Sequence, residues 1–259
     1  MSPDTIEIAA SPRRDLASRV SRRLASLVPT RIARLANPRP MVSFTFDDIP
    51  DSAASNGARI LEANGVRGTF YVASGLCGNR YGAWRFVTGP TVAALRDAGH
   101  EIGCHTHGHP DVQTLSPDAI RDELRRNGEG LAALDPGLVP RNFAYPYGSV
   151  GLPQKRVVAP AFRSCRGVRA GLNAGLADLG QLKARRLYDV ELSRAGVDAL
   201  LAETVRRRAW LVFYTHDVAD PSTDQGCSTG LFAHAVEAAL RMGCDVLTID
   251  AALDAAGVP

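Results

Sequence analysis

The stretch that decides the reading is Met41-Val42-Ser43-Phe44-Thr45-Phe46-Asp47-Asp48. A short run with strand character leads straight into two adjacent carboxylates. The same arrangement recurs along the chain. Glu101–Cys104 leads into His105-Thr106-His107-Gly108-His109, Asn142–Ala144 into Tyr145-Pro146-Tyr147-Gly148, and Trp210–Thr215 into His216-Asp217. In a β/α barrel the C-terminal ends of the strands converge on the face that holds the site. Clusters at the ends of these strands therefore predict one shared pocket.

Working outward, the segments between these strands read as helices. Ala53–Ala63 has helical character with Gly65 as its cap, and Thr91–Ala98 is closed by Gly99. Ser116 and Pro117 open a long helix that carries Ile120, Leu124, Leu131 and Leu134. Residues 197–208 and 231–242 read as two more helices, and 68–73 and 245–249 as further strands. Strands alternating with helices predict a parallel sheet, and a β/α barrel of about 210 residues accommodates them.

The 259 residues are 45% hydrophobic and 22% charged, which excludes a disordered or collagen-like chain. No run of apolar residues is long enough for a transmembrane helix. The net charge of +3 is unevenly placed: residues 1–40 hold eight arginines against Asp4, Glu7 and Asp15, so the body beyond them is slightly acidic. That balance gives no case for a nucleic-acid partner. Five cysteines, an odd number without a CxxC, argue against a disulfide framework. With no apolar secretory core at the N-terminus, a cytoplasmic setting is expected. Residues 1–40 form a basic extension ahead of a domain at 41–259. Leu16, Val20, Leu24, Leu27 and Val28, interleaved with arginines, read either as a helix packed on the domain or a second subunit, or as an amphipathic helix on an anionic membrane.

Each cluster has a plain reading beside its chemical one. Asp47-Asp48 followed by Pro50 is by itself a turn or a cap. Chemically, one carboxylate can sit on a metal while its neighbour acts as a base. His105 and His109 are four residues apart, so their imidazoles share one side of a helical turn. With Asp48 they make the two-histidine, one-carboxylate set that leaves a coordination position open for water. His107 also makes an HxH with either neighbour and is expected to point elsewhere. His216 can be a structural histidine or a general acid to a leaving group. The Tyr145–Gly148 turn can expose a backbone N–H that stabilises an oxyanion. Trp84, Tyr81 and Tyr147 are candidates for stacking on a sugar ring.

The order TFDD, HTHGH, YPYG and a strand ending in YTH resembles the polysaccharide deacetylases with the NodB homology domain, carbohydrate esterase family 4, over residues 41–256. The resemblance implies a distorted (β/α)7 barrel, a divalent metal such as zinc, and removal of acetyl groups from N-acetylated amino sugars. It implies Asp47 as general base, Asp48, His105 and His109 as metal ligands, the Tyr147 backbone N–H in the oxyanion site, and His216 as general acid.

Two departures stand out. Ala144 occupies the place of the arginine that orients the catalytic aspartate in the family's third motif, and Arg186 is expected to replace it. The usual Asp-Trp motif is not recognisable, although Asp189 lies in the corresponding stretch. Within the family the chain resembles the cytoplasmic members tied to exopolysaccharide or adhesin biosynthesis, such as holdfast polysaccharide deacetylases, which implies the same setting here. The expected partners are an N-acetylated glycan, a membrane surface contacted through residues 1–40, and a second copy in a homodimer. Two rivals are an amidohydrolase using His105-Thr106-His107, and a degenerate family member that binds glycan without turning it over.

Overall fold

The computed structural model describes residues 15–259. In chain order the elements are α1 (Leu16–Leu27), β1 (Ile32–Leu35), β2 (Met41–Asp47), α2 (Arg59–Ala63), β3 (Thr69–Val72), β4 (Arg80–Tyr81), β5 (Trp84–Arg85), α3 (Gly89–Asp97), β6 (Glu101–Cys104) and α4 (Pro117–Leu134). There follow β7 (Asn142–Ala144), α5 (Leu152–Val158), β8 (Ser164–Arg166), β9 (Gly175–Asp178), β10 (Arg185–Arg186), α6 (Arg194–Arg206), β11 (Trp210–Thr215), α7 (Thr229–Arg241), β12 (Asp245–Val246) and α8 (Ile249–Ala255).

The main sheet is parallel and runs β10-β11-β2-β3-β6-β7-β8, with β12 pairing at the start of β2. It curls into a half-barrel, which is the α/β architecture that the alternation of elements predicts. At the ends of the sheet, β8 meets the segment that leads into β10 through an isolated bridge from Arg166 to Leu182. Every residue of β2, β3 and β11 is buried, as expected for strands covered on both faces. Phe44, Phe46, Phe70, Phe213 and Phe232 form the centre of the core. The Phe46 and Phe70 rings stack at 4.4 Å, and Phe232 meets Phe44 edge-on at 5.4 Å.

Local sequence explains the element ends. Ser116 accepts from the Ala119 N–H and Pro117 follows at the first helical position, so α4 starts where the capping signal predicts. Ser228 caps α7 in the same way through the Leu231 N–H. The last strand is shorter than expected, at two residues. Thr248 accepts from the Ala251 N–H and starts α8, which diverts the chain from the sheet.

Within the basic extension, residues 1–14 lie outside the described residues, while α1 and β1 are seated on the body. β1 pairs antiparallel with β9, and Lys155 of α5, fully buried, donates to the carbonyls of Ala25 and Val28 and to Asp178. All three ammonium donors are thus used at one junction. Replacing Lys155 with methionine is expected to cost about 3 kcal/mol, because a buried pair is broken from one side. Urea unfolding checks this, and a variant within a few tenths of wild type would show that the junction contributes nothing.

Candidate active site

The polar clusters meet at the C-terminal rim of the half-barrel. Asp47 and Asp48 stand at the end of β2, His105 and His109 beyond β6, Tyr147 beyond β7, and His216 beyond β11. The loops that carry them are conformationally unusual. Asp48, Ile49, Thr106, His109 and Tyr147 all have positive φ, between 54° and 64°. Such left-handed conformations in non-glycine residues cost of order 1 kcal/mol or more each, and they re-aim side chains that a strand would alternate. Thus Asp47 and Asp48, adjacent in sequence, are both buried yet face different partners.

Asp48 Oδ1 lies 3.6 Å from His105 Nε2 and 3.3 Å from His109 Nε2. One ligand atom from each of the three residues falls within 4.8 Å of the others. His105 Nδ1 donates to the Ala144 carbonyl at 2.7 Å, which fixes its tautomer and leaves the Nε2 lone pair facing inward. Burial pushes His105 down to about 4 against the pull of Asp47 and Asp48, and pushes His109 down to about 3 with help from His216. Both rings are therefore neutral at physiological pH, as metal ligation requires.

Asp48 Oδ1 itself is buried and has no hydrogen-bond partner. A carboxylate oxygen left bare between two imidazole lone pairs is costly unless a cation sits among them. The donor set of two nitrogens and one carboxylate oxygen fits a divalent cation, and it leaves a position for water.

His107 takes no part. Its Nδ1 meets Ser74 Oγ at 2.9 Å, outside the triad. Glu123 of α4 accepts from the His107 and Gly108 backbone N–H groups at 3.0 and 2.8 Å, which fastens the histidine loop.

The expected partner of Asp47 is corrected. Arg186 donates to Tyr214 and Glu191 and does not reach Asp47. Arg166, at the end of β8, donates from one Nη2 to both oxygens of Asp47. In the parallel pairing of β7 with β8, Ala144 stands directly opposite Arg166. The arginine missing from β7 is thus supplied one strand over, and the small side chain at 144 lies beside it. The Arg166 guanidinium is fully buried and sits over the rings of Tyr214 and Tyr71, at 4.8 and 5.3 Å. Burial works to raise the Asp47 carboxyl, but Arg166, aided by His105 and His216, holds it below the usual carboxylate range.

His216 Nε2 approaches the other Asp48 oxygen, Oδ2, at 4.0 Å. Its Nδ1 is 3.1 Å from both the Gln225 carbonyl and the Tyr188 hydroxyl. A carbonyl only accepts, so Nδ1 carries the proton toward it and Nε2 faces the triad. Trp84 stacks on the imidazole at 5.2 Å and 12°, and its Nε1 donates to Asp217. A tryptophan from the β4–β5 hairpin and a tyrosine hydroxyl therefore hold this histidine. Asp189 is elsewhere, accepting from Ser222 and Ser228. The Tyr147 ring lies edge-on to His109 at 4.6 Å, and Tyr81 is exposed on the hairpin.

Sequence reasoning missed Arg166, Tyr188 and the placement of Trp84 over His216. Only the basic character of Arg166, unusual beside Ser164 and Cys165, could have singled it out.

A half-barrel whose rim gathers Asp47, an Asp48-His105-His109 triad and His216 is the NodB-like deacetylase fold. Residues 34–159 match the family model for polysaccharide deacetylase. The chitin deacetylase of Colletotrichum lindemuthianum is 33% identical over 121 residues, 46% of this chain and 46% of that protein. A chitooligosaccharide deacetylase of Bradyrhizobium sp. (strain ANU 289) is 24% identical over 189 residues, covering 72% and 75%. The solved structure of the Colletotrichum enzyme superposes with a TM-score of 0.64 at 23% identity, over 90% of this chain and 94% of that one. The chain spans less than half the length of the Colletotrichum relative it matches. The match to the polysaccharide deacetylase model and the superposition on a chitin deacetylase agree on a NodB-like fold for this chain.

Proposed function

We propose that the protein removes acetyl groups from N-acetylated amino sugars of a polysaccharide or lipid-linked oligosaccharide during exopolysaccharide biosynthesis, and that it acts in the cytoplasm with one divalent metal, zinc being the best fit. The observation that carries the reading is the pair of groups beside the triad: Asp47, held charged by Arg166, and His216, whose Nε2 approaches Asp48. The chitin and chitooligosaccharide deacetylases among its relatives support the substrate class.

The cation, when bound by Asp48, His105 and His109, supplies Lewis acidity toward the acetamide oxygen and water. Asp47 takes a proton from the attacking water, and Arg166 keeps the carboxylate aimed and ionised for that step. As the water oxygen bonds to the acetyl carbon, the backbone N–H of Tyr147 faces the developing oxyanion. His216, as the imidazolium with Nδ1–H kept on the Gln225 carbonyl, gives its Nε2 proton to the nitrogen as the C–N bond breaks, releasing a free amine and acetate, while the proton that Asp47 took from water restores the charge balance. An amine leaves poorly unless protonated, so the step needs an acid as well as a base.

Ala144 raises the reading of a degenerate glycan binder. Arg166 argues against it, since a pure binder has no need of a buried guanidinium held on Asp47. The test is metal content followed by acetate release from chitooligosaccharides. Wild type is expected to hold about one equivalent of metal and His105→Ala almost none, with activity lost in parallel. A metal-replete protein that releases no acetate from any N-acetylated glycan would favour the binder.

A further inference from the structure

The orientation of α1 is inverted relative to an ordinary surface helix. Leu16, Val20, Leu24 and Leu27 recur at helical spacing, within an arc of about 80° at 3.6 residues per turn. All four point to solvent, with exposures of 75, 51, 45 and 61%. The opposite face, with Ser18, Ser21, Arg22 and the buried Ala25, lies on the body. It is held there by polar bonds. Gln113 donates to the Ser18 carbonyl and accepts from Arg22, Lys155 donates to the Ala25 carbonyl, and Arg169 donates to the Ser26 carbonyl.

Burying a leucine contributes about 2 kcal/mol, so a helix docked through its small, polar face with its leucines outward forgoes the main gain available to it. An exposed stripe of this kind marks an interaction surface.

The surface extends beyond the helix. Ile32 and Leu176, on the paired strands β1 and β9, are 64 and 76% exposed, and Arg34 stands opposite Leu176 in that ribbon. A cleft lined by Ser26, Arg169 and Leu176 joins the ribbon to the helix. The charge around the stripe is predominantly positive. Arg19, Arg23, Arg34 and Arg169 are all exposed, and Asp15 is the one acidic residue between positions 15 and 35. Asp178, at the start of the ribbon, is engaged by Lys155.

An apolar stripe flanked by arginines complements an anionic lipid surface, with leucines entering the acyl boundary and guanidiniums at the headgroups. The arginines would face their own kind across a two-fold interface with a second copy, which disfavours that occupant.

We propose that α1 and the β1–β9 ribbon form a peripheral docking face for an anionic membrane. Gln113 ties this face to the site, since it bonds α1 on one side and Ser149, two residues after Tyr147, on the other. The inference rests on the functional reading only in that it says where the glycan would be met, at a bilayer surface. No described helix is long and apolar enough to cross the membrane, so the contact is interfacial.

The full chain is sedimented with vesicles of phosphatidylcholine alone or mixed with phosphatidylglycerol, beside the double variants Val20→Glu/Leu24→Glu and Arg19→Glu/Arg23→Glu. Wild type is expected to bind the mixed vesicles, less well at high salt, and to ignore neutral ones. Each double variant is expected to bind at least about tenfold more weakly, since each basic residue near the surface contributes a few-fold. Thermal melts by circular dichroism verify that the variants fold. Absence of wild-type binding, equal binding by folded variants, or a dimer that the stripe variants abolish without lipid would each overturn the proposal. Acetate release is assayed separately: its absence with vesicle binding intact would refute the functional reading and leave this one standing.

Discussion

Arg166→Ala is expected to lower kcat/KM by about 100-fold and to destabilise the fold by about 3–5 kcal/mol. The Asp47 carboxylate is buried, and in the wild type both its oxygens accept from this guanidinium. Without Arg166, desolvation acts on the carboxyl with less to oppose it, and its pKa moves up. The base must be ionised to accept a proton. The acidic limb of the kcat/KM profile should therefore shift to higher pH in the variant, and some activity should return as pH rises.

The position of Ala144 opposite Arg166 supplies a second variant that separates misfolding from mispositioning. Placing the arginine back on β7, in Arg166→Ala/Ala144→Arg, should recover part of the lost activity and bring the acidic limb back down. If Arg166→Ala matches wild type in rate and profile, or if the double variant is folded and no better than the single one, Arg166 does not position the base.

Asp47→Asn is expected to lower kcat by about 10³, within the range general base catalysis contributes, while metal content stays unchanged. The two carboxylates divide the work. Asp48 Oδ1 is the oxygen facing His105 and His109, whereas Asp47 is turned to Arg166. Asp48→Asn should therefore lose metal first and activity as a consequence. Elemental analysis beside steady-state acetate release reads both variants. An Asp47→Asn protein with normal turnover would remove Asp47 from the mechanism, and one that loses its metal would make it a ligand instead of a base.

The two variants also probe stability in acid. A carboxyl held below its usual range stabilises the fold above the unfolded carboxylate pKa, and that contribution disappears as pH falls through the lower folded value. Wild type should therefore lose stability on acidification more steeply than Asp47→Asn over that window.

What was legible in the sequence was what local chemistry governs. Runs such as Trp210–Thr215 and Glu101–Cys104 are strands with the bounds that their composition and flanking residues suggest, because a strand buried on both faces must be nearly continuous in apolar or small residues. The cap at Ser116 likewise acts within three residues, whereas the cap at Ser228, which starts its helix two residues before the expected 231, was not read. The polar clusters at strand ends announced a common rim, because parallel strands share a direction and so deliver their ends to one side.

Only the tertiary structure decided which groups serve those clusters. Arg166 lies in a three-residue strand with no periodicity to mark it, and its claim on Asp47 comes from cross-strand register, 119 residues away in sequence. Trp84 reaches His216 across 132 positions from a hairpin of two-residue strands, and Tyr188 reaches it from a loop. The outward face of α1 was likewise beyond the sequence, since periodicity reveals that a helix has an apolar stripe but not which side the body takes. Identity and spacing determine strands, caps and the order of motifs. Contacts between distant segments depend on how the sheet curls and in which register its strands pair, and those are properties of the folded whole.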